Sequence, residues 1–189
     1  MKRTSLLDEI LDSEEFGKWG ENKPIIIVPA SASPGNLCLL NAIQFLKDGK
    51  YVNGEDLQTE ARMRESHKES VTFEKRVNDR RVTFEVYDSV TSFTKLQWKR
   101  VVAVFAAGPS WQFKDWPKNE TIVDIMLKVR GFYLHFSDFA VPEYIKSLNV
   151  KILYLKQFHR HEDKSVYNEF WKELSLFLSK ERFRPKQRS

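Results

Sequence analysis

Apolar residues recur along the chain in two rhythms. Ile25 to Val28 and RVVAVFAA, residues 100 to 107, are continuous apolar runs, the pattern of strands covered on both faces of a parallel sheet. The second run ends at Gly108-Pro109 and is assigned to the middle of the sheet. VTFEKRV and RVTFEVY alternate apolar with polar residues around Asn78 and Asp79, which predicts a hairpin with one wet face and a turn made by Asx chemistry. Phe132, Leu134 and Phe136 alternate with Tyr133 and His135 as a short strand, and VKILYL, residues 150 to 155, supplies the last one.

The other rhythm is helical. Leu6, Leu7, Ile10 and Leu11 share one face, with Ser5 and Asp8 as a capping box. Residues 1 to 22 are accordingly read as an amphipathic helical extension whose stripe packs either on the domain or on a partner, packing on its own core being the commoner fate. Leu37, Leu40, Ile43 and Leu46 mark a helix over Asn36 to Lys47 that Gly49 ends. Ile122, Ile125, Met126 and Val129 mark another, stopped by Gly131, and Pro142 opens a brief one reaching Leu148. Val166, Phe170, Leu174 and Phe177 define a closing helix. Residues 53 to 70 hold dense mixed charge and few large apolar side chains, so a mobile surface insertion is expected there; 182 to 189 form a basic tail. Residues 23 to 181 remain as one α/β domain.

Composition narrows the setting. The single cysteine, Cys38, excludes an intramolecular disulfide and a cysteine-rich zinc site, and points to a reducing compartment. No apolar stretch approaches the ~20 residues of a membrane span, so no membrane partner is expected. Acidic residues break the apolar part of MKRTSLLDEILDSEEF, so secretion is not expected either. A net charge of +5 favours anionic partners without choosing among them.

Strands alternating with helices imply right-handed crossovers and a mostly parallel sheet, helices on both faces, with the 71–87 hairpin as its antiparallel edge. The resulting order resembles that of a small GTPase, which makes a nucleotide site the first enzyme reading to test. Against G-x-x-x-x-G-K-[ST], residues 30 to 37 place Ala30 at the first glycine, Gly35 at the second, Asn36 at the lysine and Leu37 at the hydroxyl. The cation and the Mg²⁺ ligand are both missing, and Asn36 reads more simply as a helix N-cap. Asp88-Ser89-Val90-Thr91 follows the hairpin where D-x-x-G would stand, and Ser137-Asp138-Phe139-Ala140 stands where N-K-x-D would read the base. The fold class is therefore α/β and Ras-like with no functional nucleotide site. His159 and His161 flank Arg160 at a spacing that suits two metal ligands, but no third is evident, and Asp163 reads as an N-cap. Cys38 has no base partner. No catalytic residue, metal or cofactor is assigned.

WKRVVAVFAAGPSWQFKDWP, residues 98 to 117, is the most distinctive stretch. With KPIIIVPA before it and HRHEDKSVYNEFW after it, the sequence resembles the C-terminal domain of the parafibromin family over roughly residues 23 to 180. That resemblance implies a Ras-like fold without a nucleotide, and a chain that is one domain of a longer protein. It also implies a nuclear, non-catalytic role in the Paf complex, which travels with elongating RNA polymerase II. Its expected partners are other Paf complex subunits, chromatin, and phosphorylated repeat tails of the polymerase or its elongation factor. Residues 53 to 70 match the family least.

The candidate partner surface comprises Lys99, Arg100, Trp111, Lys114, Trp116, His159, Arg160 and His161. Lysine and arginine bind phosphate by charge-assisted hydrogen bonds while rings contact proline or tyrosine. Lys99, Arg100 and Lys114 are expected to be exposed; Trp111 and Trp116 serve equally well as core caps. Lys99 and Arg100 precede their strand, so two separate patches are an open alternative. A second reading gives weak, nonspecific nucleic-acid contact to the tail, where Lys180, Arg182, Arg184, Lys186 and Arg188 recur at spacing two.

Overall fold

The computed structural model describes residues 4–57, 69–107 and 110–181. Six strands form one sheet: β1 (Ile25–Ile27), β2 (Ser70–Val77), β3 (Arg80–Tyr87), β4 (Val101–Phe105), β5 (Arg130–Phe136) and β6 (Val150–Leu155), in the order β2-β3-β1-β4-β5-β6. Every pairing is parallel except β2 with β3, which is the Ras-like arrangement. The hairpin turns on two residues, and Asn78 and Asp79 both have positive φ, 50° and 62°. Asx side chains tolerate that geometry, and it matches the strands' twist.

Among the described residues the helices are α1 (Leu6–Leu11), α2 (Glu14–Gly17), α3 (Ala42–Leu46), α4 (Lys95–Arg100), α5 (Ile122–Lys128), α6 (Glu143–Lys146) and α7 (Asp163–Ser179), with residues 54–57 also helical. They close two hydrophobic clusters, one on each face of the sheet. One joins Leu6, Leu7 and Ile10 of α1 to Phe45 and Leu46 of α3 and to Phe170 and Leu174 of α7. The other holds Phe113, Trp116, Ile125, Met126 and Ile145. Ser5 caps α1, its hydroxyl oxygen accepting the Asp8 N–H at 3.1 Å, and the α1 stripe packs on the domain's own core.

Four expectations are corrected. The helix predicted from Asn36 begins only at Ala42, with Asn41 rather than Asn36 at its N-cap position. Fully buried Asn41 replaces the missing helical ladder: its Oδ1 accepts the Cys38 N–H at 2.8 Å, and its Nδ2 donates to the carbonyls of Asn36 and Val52. Leu40 is consequently exposed. Gly131 lies inside β5 instead of stopping a helix, because an added Cβ would meet Val150 Cγ1 at 2.8 Å across the β5–β6 pairing. Tyr133 and His135 are buried like their neighbours, since α5 and α6 cover the second face. Finally, α4 stands where the sequence reading had only a connection. Thr94 and Gln97 cap it reciprocally, a T-x-x-Q signal readable in the chain. Of the 53–70 insertion, residues 58 to 68 lie outside the described set, as does the tail from 182 to 189.

Candidate functional site

At the carboxyl edge of the sheet, where this fold class binds ligands, the loop from Pro29 to Asn36 folds down onto β5. Gly35 has φ +82°, and a Cβ there would meet the Phe136 amide nitrogen at 2.8 Å. The Tyr51 hydroxyl donates to the Asn36 carbonyl at 3.0 Å and pins the loop. Leu37 is fully buried. Gly35 and Leu37, which stand at the second glycine and the hydroxyl of the nucleotide-loop pattern, are thus packed against the domain.

The eight candidate residues do not form one patch. Arg100, expected to be exposed, is only 1% exposed. As the last residue of α4 it points inward, where Nη1 donates to the Lys23 carbonyl at 2.7 Å and to Glu85 at 3.1 Å, with Glu21 3.7 Å from Nη2. Trp116 is buried, stacked edge-on against Phe113 and Trp98 in a chain of rings that runs on through Phe93 to Tyr87. Between the two tryptophan positions, Gln112 closes the end of β4 by accepting the Ala107 N–H at 2.7 Å and donating to the Phe105 carbonyl at 3.0 Å. The idiosyncratic WQFKDWP segment is therefore largely a core latch. The Trp111 side chain lies outside the described set.

Arg160 is clamped as well. Its guanidinium donates to both oxygens of buried Asp163, at 3.0 and 2.6 Å, and to the Tyr51 carbonyl. Asp163 also accepts the Tyr51 N–H at 3.0 Å, so it braces α7 to residue 51 rather than capping the helix by its side chain. His159, His161 and Lys114 are exposed. The two imidazoles do share one side of a turn, but it is a 3-10 turn, not a strand.

Lys99 is exposed and reaches Glu15 at 3.5 Å. It borders a feature that sequence reasoning missed, a cleft of about 630 Å³ at the amino ends of β4 and β5. Trp98, Pro117, Ile125, Leu127 and Phe177 belong to its apolar lining, and three lysines, Lys99, Lys128 and Lys180, stand around it with two glutamates, Glu120 and Glu181. Lys128 pairs with Glu120. Leu127 is 67% exposed and Val123 on the same helix 63%, an apolar excess on α5 that the pattern Ile122-Val123, Met126-Leu127 already contained.

Among the described residues no helix is long and apolar enough to cross a membrane. Residues 20–177 match the family model described as "RNA pol II accessory factor, Cdc73 family, C-terminal". The chain is 37% identical to the Protein CDC73 homolog of Arabidopsis thaliana over 168 residues, covering 86% of this chain and 40% of that protein. It is 33% identical to Cell division control protein 73 of Saccharomyces cerevisiae over 158 residues, covering 82% of this chain and 38% of that protein. It thus spans about two fifths of the curated relatives it matches. The solved structure entitled "The conserved domain of yeast Cdc73" superposes with a TM-score of 0.72 at 33% identity, over 82% of this chain and 96% of that one. With its Ras-like sheet, the chain belongs to the Cdc73 family of RNA polymerase II accessory factors and corresponds to its C-terminal domain.

Proposed function

We propose that this domain is a non-catalytic docking module that recruits an elongation complex in the nucleus to RNA polymerase II and chromatin, by holding phosphorylated repeat tails of the polymerase or its elongation factor. The observation that supports this most is the lysine-rimmed cleft at the amino edge. Its ring-and-proline lining suits a Tyr-Ser-Pro-rich peptide, and its lysines suit phosphate. The buried guanidinium of Arg100 does not take part; Lys99 and Lys128 do, and both are more than half exposed. Two or three charge-assisted contacts at ~1.5–3 kcal/mol each, before ordering costs, correspond to tens of micromolar to near-millimolar affinity per repeat. Repetition of the tail multiplies that by avidity. Other Paf complex subunits are partners of the whole protein in this reading.

The test is a titration with matched phosphorylated and unphosphorylated repeat peptides, with duplex DNA alongside. The phosphorylated peptide is expected to bind at least about tenfold more tightly than its unmodified form. Lys99→Glu with Lys128→Glu should abolish that preference, and Lys114→Glu at the far edge should leave it intact. Equal binding by the Lys99 and Lys128 variant removes the cleft from consideration. Salt-sensitive DNA binding stronger than peptide binding would transfer the function to the basic tail beyond Lys180.

A further inference from the structure

At the carboxyl edge, residues 159 to 162 make a second constellation that the docking reading does not use. Arg160 is pulled inward by Asp163 and the Tyr51 carbonyl, and this fixes the 3-10 turn Arg160–Glu162. The Glu162 N–H closes the turn on the His159 carbonyl at 3.0 Å. With the residue between them held down, His159 and His161 project outward together, their ring centroids 6.0 Å apart and their planes at 80°. Glu162, next in the chain, turns its carboxylate to the same point. One donor atom from each of the three side chains lies within 4.8 Å of the others.

We propose that His159, His161 and Glu162 form a binding site for a borderline transition-metal dication, Zn²⁺ being the reference ion. Two imidazoles and one carboxylate are a donor set that zinc accepts, with the fourth position open to water or to a donor from a docked partner. Bonds of about 2.0–2.1 Å place tetrahedral donors roughly 3.3 Å apart. The three groups must therefore close by about 1.5 Å, which the rotamers of exposed side chains supply. The backbone beneath them is already held by the Arg160 clamp, so little ordering is left to the metal.

Lys156 is the competing charge. Its ammonium lies 3.0 Å from the Glu162 carboxylate. Lys156 is more than half exposed and can swing into solvent when a dication replaces it.

Calorimetric titration of the intact chain with Zn²⁺ at neutral pH is expected to show one saturable site, and Co²⁺ should give the absorption bands of a nitrogen- and oxygen-ligated tetrahedral ion. His159→Gln and His161→Gln should each weaken Zn²⁺ by about tenfold or more, and Lys156→Ala should strengthen it. All three side chains of the site are at the surface, so circular dichroism will report the variants as folded. Absence of saturation up to millimolar free metal overturns the proposal, as does equal binding by the parent and the His159→Gln, His161→Gln double variant.

Discussion

Replacing Arg100 by methionine separates a structural arginine from a ligand-binding one. The guanidinium sits among Glu85, Glu21 and the Lys23 carbonyl at 1% exposure. Its Nε is buried without a partner. The substitution leaves the Glu85 carboxylate, itself only 12% exposed, with the Tyr87 hydroxyl at 2.6 Å as donor and no adjacent guanidinium. Breaking such a pair from one side costs about 3–5 kcal/mol. At about 2–4 °C per kcal/mol for a chain of this size, Tm should fall by about 6–20 °C. Adding Glu85→Leu removes the stranded charge, and most of the loss should return, because apolar replacement of both partners is often neutral. Urea denaturation of the parent, the two single variants and the double variant closes the cycle, with the m-values compared to confirm two-state unfolding. Phosphopeptide affinity measured on whatever fraction of Arg100→Met is folded should equal that of the parent. If Arg100→Met unfolds within about 1 kcal/mol of the parent and loses peptide binding, the inward placement is wrong and Arg100 is a docking residue.

His135 is buried with neither ring nitrogen hydrogen-bonded, and burial holds its pKa below the ordinary histidine value. The folded state therefore binds fewer protons than the unfolded one. Its contribution to stability is complete above about pH 6.5 and is lost as pH falls toward the depressed folded value, at up to about 1.4 kcal/mol per pH unit. Denaturation midpoints at pH 7.5, 6.5 and 5.5 check this, and His135→Phe should flatten the profile. Gly35→Ala forces a Cβ against β5 at φ +82° and should cost about 1–3 kcal/mol; a full-stability variant would show that the loop does not press on the strand. The same packed loop predicts no Mg²⁺-dependent GTP or ATP binding in calorimetry. Trp116→Ala should cost about 3–5 kcal/mol as a cavity in the ring cluster, with the loss read in Tm before any change in peptide affinity.

What could be read from the chain follows from what each pattern encodes. Continuous apolar runs revealed β1 and β4, alternation revealed the hairpin, and the 3.6-residue stripe revealed α7, because burial alone dictates those patterns. The start of α3 was misread because the side chain of Asn41 does the work of a backbone ladder, and no periodicity records a side chain bonding three separate backbone groups. The site was misread for a related reason. A list of basic residues says where charge is, not which charges already have an acidic partner folded against them. Arg100 and Arg160 are both met by carboxylates, Glu85 from β3 and Asp163 from the start of α7. The planar fork of arginine matches a carboxylate and tolerates burial, while the compact, strongly hydrated ammonium of lysine stays in water. Lys99, Lys114 and Lys128 are exposed, although Lys99 lies beside Glu15 and Lys128 beside Glu120. A carboxylate partner does not by itself bury an arginine, since Arg81 pairs with Glu74 and stays 82% exposed; Arg100 and Arg160 are held by backbone carbonyls as well. In this chain the burial of Arg100 and Trp116 moves the proposed phosphate-binding candidates from the WQFKDWP latch to the amino edge, where Lys99 and Lys128 line the same cleft.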